Sequence, residues 1–85
     1  MTPTLAQRLN VDYAGLRFAH RLGSNLVHSR EQADAVRTQG ALAASRMAYK
    51  IVTEFSGYQN FNALEKIAMY LGAYEAFGFR FRFVV

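Results

Sequence analysis

The chain has 85 residues, of which 52% are hydrophobic and none is cysteine, and it carries a net charge of +4. That length supports one small domain with a real but thin core, which gains from burial against another copy or a partner. Without cysteine, disulfides, thiol catalysis and cysteine-ligated zinc are excluded. Met1-Thr2-Pro3-Thr4 does not read as a signal peptide and no apolar run is long enough to span a membrane, so a soluble cytoplasmic protein is expected.

The charge is unevenly placed. Residues 1–30 set Arg8, Arg17, Arg21 and Arg30 against Asp12 alone, a net +3, whereas residues 31–56 are balanced and residues 57–85 carry +1. A positive N-terminal third suits nucleic acid or an acidic protein surface.

The first segment, 4–22, is helix-prone but interrupted. Leu5, Ala6 and Leu9 fit one helical face, Asn10-Val11 can turn, and Asp12 is a good N-cap for a second helix whose inner face takes Leu16, Ala19 and either His20 or Leu22. Gly23-Ser24-Asn25 then predicts a break. Leu5 to Arg17 resembles the core of a helix-turn-helix, nearest to regulators of lac-repressor type. Ala6 stands as the inner small residue, Asn10-Val11 as the turn, Asp12 as the cap and Leu16 as the anchor. The resemblance implies Tyr13, Ala14 and Arg17 on base edges and Arg8 and Arg21 on phosphates.

Ser29-Arg30-Glu31-Gln32 has the form of a capping box, and from there to Phe55 nothing but Gly40 interrupts a helical pattern. Ala33, Val36, Gly40, Ala43, Ala44, Met47, Ile51 and Phe55 make its apolar stripe, which predicts one long amphipathic helix. After a connection over 56–60, Asn62 with Glu65 predicts a capped helix to about Ala76, apolar on nearly every side. Gly40, Ala44 and Ala48, and likewise Ala68, Gly72 and Ala76, are spaced by four. These two ridges of small residues are expected to pack as an antiparallel hairpin or as a self-complementary dimer contact.

The tail, 77–85, alternates aromatic and basic. Phe79, Phe81, Phe83 and Val85 share one side, the period of a strand with one buried face, which must pair with a neighbour. A mainly α fold with a C-terminal strand is therefore expected. In the alternative, an α+β fold, residues 11–18 pair with that strand.

Chemistry is hard to find. His20 and His28 lie eight apart with no acid at ligand spacing, no nucleophile elbow or phosphate loop occurs, and Glu31 and Asp34 are placed to serve a helix N-terminus. An enzyme is not expected, and no cofactor or metal is implied. Twelve aromatics are more telling, because aromatic and arginine side chains dominate interface energetics. The preferred reading is a small binding protein that docks on a larger macromolecular machine and modulates or inhibits it. In size and lack of motifs it is similar to phage and mobile-element accessory proteins. Its interface candidates are Arg80, Arg82, Tyr70, Tyr74, Arg37 and Arg46, and self-association is expected through the tail or the small-residue ridges. The alternative is a DNA-binding transcriptional regulator using Arg8, Tyr13, Arg17 and Arg21.

Overall fold

A computed structural model of the protein describes residues 12–30 and 33–80. They are mainly helical: α1 (Tyr13–His28), α2 (Ala33–Thr38), α3 (Ala41–Glu54) and α4 (Ala63–Ala76), with a 3-10 turn over Tyr58–Asn60. No strand occurs among the described residues. No described helix is long and apolar enough to cross a membrane.

α1 begins where Asp12 predicts, its side chain accepting from the Gly15 amide at 3.1 Å. The helix does not break at Gly23-Ser24-Asn25. It runs on to His28, and Ser29 ends it rather than opening the next one, with the Ser29 hydroxyl donating to the Leu26 carbonyl. The reason is tertiary. Ala19, Gly23 and Val27 are buried at a spacing of four and face α4, and their burial outweighs the roughly 1 kcal/mol that glycine costs a helix. Because Tyr13 to Phe18 form the first turns of α1, the α+β alternative, with residues 11–18 pairing as a strand, is set aside.

The single long helix expected over 29–55 is two. α2 stops at Thr38, and Gly40 takes φ 100 and ψ 178 as the N-cap of α3. That conformation lies in a region open essentially to glycine alone. The apolar stripe survives the break: Val36, Ala44 and Ile51 are buried, and Ala33, Ala43, Met47 and Phe55 pack against them. Gln32 and Glu31 of the expected capping box lie outside the described residues.

At α4 the capping box forms as the sequence predicts. Asn62 Oδ1 accepts from the Glu65 amide at 2.8 Å, and Glu65 Oε1 accepts from the Asn62 amide at 3.0 Å. The helix closes at Phe77 and Gly78 (φ 97), residues the sequence placed in a strand; 81–85 lie outside the described residues.

The tightest helix pairing is α1 against α4, not α3 against α4. A Cβ built on Gly23 would overlap the backbone carbonyl of Met69, and one on Gly72 would overlap that of His20. Two glycines from two helices thus let the backbones touch. Gly40 has no part in this, since nothing lies within 4 Å of a Cβ built there. The small-residue ridge of α4 is therefore used inside the chain, against α1.

Candidate interaction surface

Two surfaces are built on this frame. The first is a groove of about 250 Å³ between α3 and α4, lined by Tyr49, Val52, Thr53, Tyr58, Lys66, Ile67 and Tyr70. The 3-10 turn carries Tyr58 to the floor, where the Lys66 ammonium sits 4.6 Å from its ring centroid, a cation–π contact that fixes both. Tyr49 is 64% exposed on one wall and Ile67 55% on the other. Lys66 is the charged member of the lining, and Arg46 and Lys50 stand exposed beside Tyr49 along α3.

The second is the outer side of α1, where Arg17, His20, Arg21 and Ser24 line an open hollow of about 310 Å³. His20 Nε2 meets Glu75 Oε2 at 2.5 Å across the α1–α4 crossing, so Glu75, isolated in the sequence, is paired. Among the described residues, no group of three or more histidines and acids gathers at metal-binding distance.

Of the residues that sequence reasoning singled out for a partner, Tyr70 and Tyr74 serve partly inside the protein. Tyr70 shares a hydrogen bond with the Ser45 hydroxyl at 2.5 Å, tying α4 to α3. The Tyr70 and Tyr74 rings stack at 6.3 Å, and Tyr74 meets Phe79 at 5.8 Å. Arg37 is a latch: its Nε donates to the Phe77 carbonyl at 2.8 Å and so holds α2 to the end of α4, while Asp34 lies 3.7 Å away. Arg46 and Arg80 are exposed and lie far apart in the chain, and Arg82 lies outside the described residues. Tyr13, Arg17 and Arg21 are all exposed on α1, whereas Arg8 lies outside the described residues.

The groove residues Tyr49, Thr53, Lys66 and Ile67 were missed. Ile67 does not stand out because α4 is apolar nearly all round, and periodicity cannot choose a face on such a helix. Tyr49 lies off the apolar stripe of α3, and that was the available signal: an aromatic on the polar side of an amphipathic helix. No protein-family profile, curated protein or solved structure matches this chain.

Proposed function

We propose that the protein is a non-enzymatic binding protein that docks on a larger protein assembly through the α3–α4 groove and modulates it. The observation that supports this reading is the pairing of exposed Tyr49 and Ile67 on opposite walls of one apolar groove that has Lys66 in its lining. Singly exposed apolar residues are ordinary, but a contiguous set in a concavity suits a partner's anchor side chains. Lys66 in the lining, with the exposed Arg46 and Lys50 close to Tyr49 along α3, complements acidic residues. The partner segment this fits is an amphipathic helix, with apolar anchors one turn apart in the groove and Asp or Glu flanking them.

Selection from a random peptide display library tests it. Enriched peptides should carry spaced apolar anchors with acidic flanks, and Tyr49→Ala and Ile67→Ala should each weaken them about 5-fold or more, as central anchors do. Enrichment of basic peptides, or binders indifferent to both substitutions, would overturn the reading.

A further inference from the structure

We infer that the solvent face of α1 is a binding site for the phosphodiester backbone of nucleic acid. The buried residues Ala19, Gly23 and Val27 fix how this helix is rotated. At 100° per residue the opposite face then carries Ala14, Arg17, Phe18, Arg21, Asn25 and His28, all exposed. His20 and Ser24 border it. The Gly23 and Gly72 contacts clamp the helix by its backbone, so this 16-residue face, about 24 Å long at 1.5 Å per residue, is presented on a rigid support.

Its charge has one sign. No Asp or Glu occurs within α1, and among the described residues neither Arg17 nor Arg21 has a carboxylate at ion-pair distance. Glu75 reaches the edge of the hollow but is engaged by His20. The carboxylates of Asp12 and Glu65 gather beside Gly15, on the opposite flank of the helix from Arg17. Two guanidinium forks one turn apart are thus left for an external anion, and such forks match phosphate oxygens in bidentate geometry.

The neighbours of the arginines favour nucleic acid over an acidic protein. Asn25 and His28 both donate and accept, which suits base edges. Phe18 is 62% exposed, its ring already held by stacking on Phe61 at 6.5 Å, and it offers a flat platform on the same face, to one side of the two arginines. Cations beside a stacking ring are how proteins bind strands without reading sequence. None of these residues lines the α3–α4 groove, so the site stands or falls apart from the docking reading.

Anisotropy with labelled 20-mer duplex and single-stranded DNA, from 50 to 200 mM salt, is the test, with polyglutamate as the competing polyanion. Both DNAs should bind at 50 mM salt. Arg17→Ala/Arg21→Ala should remove about two phosphates' worth of salt slope, roughly a 12-fold part of the fall in affinity over that range. Arg17→Lys/Arg21→Lys should keep the slope, and Arg46→Ala/Lys50→Ala should leave binding unchanged. Tighter duplex binding places α1 in a groove, whereas tighter single-strand binding that Phe18→Ala weakens identifies stacking. No binding at 50 mM salt, loss caused by the Arg46/Lys50 pair instead, or displacement of both DNAs by polyglutamate at matched charge would overturn the site. Circular dichroism of each variant confirms that the helices are retained.

Discussion

At Gly23 and Gly72 two hydrogen atoms decide how the protein is built. Each faces a backbone carbonyl of the other helix, Met69 and His20 respectively, and a backbone cannot swing aside as a side-chain tip can. The pair also sits beside the His20–Glu75 contact, so one crossing point carries both the closest packing and an inter-helix hydrogen bond. Gly23→Ala or Gly72→Ala must push α1 and α4 apart along their whole contact. The overpacking cost is expected at the upper end of its range, about 3 kcal/mol, against about 1 kcal/mol gained in helix propensity, a net loss of about 2 kcal/mol. Thermal unfolding followed by circular dichroism measures it: a drop of roughly 8 °C or more in Tm is expected for so small a domain. An unchanged Tm for both variants would mean that the helices do not cross there.

The helices themselves were legible in the sequence because their signals are local. The Asn62–Glu65 box and the Asp12 cap need nothing beyond a few residues of chain, and both are where the pattern put them. The breaks were not legible, because glycine has two opposite uses. Gly23 looks like a breaker and is a contact, while Gly40 looks like a ridge and is a breaker. What separates them is the partner surface: Gly23 has one in α4, and Gly40 has open space and a positive φ. The same ambiguity hid the groove, since an all-apolar α4 does not declare which side α1 will cover. Substitution size distinguishes the two uses. Gly40→Ala and Gly40→Leu should cost about the same, roughly 1–3 kcal/mol, because the strain lies in the backbone angle. Gly72→Leu should be far worse than Gly72→Ala, because there the cost grows with volume. Urea midpoints for the four variants give the comparison, and a steep size dependence at Gly40 would show that it is packed after all.

Across the whole molecule, the core is small for what it must hold. The buried hydrophobic residues among those described are Ala19, Val27, Val36, Ala44, Ala48, Ile51, Val52, Met69, Ala73 and Phe77, and four of these ten are alanines. Large side chains fully inside are few, and Phe77, at 1% exposed, is the bulkiest. It stands at the end of α4 where α2 and α3 meet it. Val36, Met47 and Ile51 share with it the lining of a small void of about 30 Å³, and its carbonyl takes the Arg37 hydrogen bond. Phe77 is therefore the side chain through which three helices are joined. Removing it should cost about 3–5 kcal/mol, the usual range for a buried Phe→Ala change. A chain of this length has a total stability of only roughly 4–13 kcal/mol. Phe77→Ala should thus lose a large share of the stability and unfold at a much lower urea midpoint, while Phe77→Leu, which keeps most of the volume, should lower the midpoint less. Arg37→Ala, which removes the latch but leaves the ring in place, should cost only about 1–2 kcal/mol, the worth of one charge-assisted hydrogen bond. Urea unfolding of the three variants orders these contributions. If Arg37→Ala proved more damaging than Phe77→Ala, the joint would be held by the arginine and not by the buried ring.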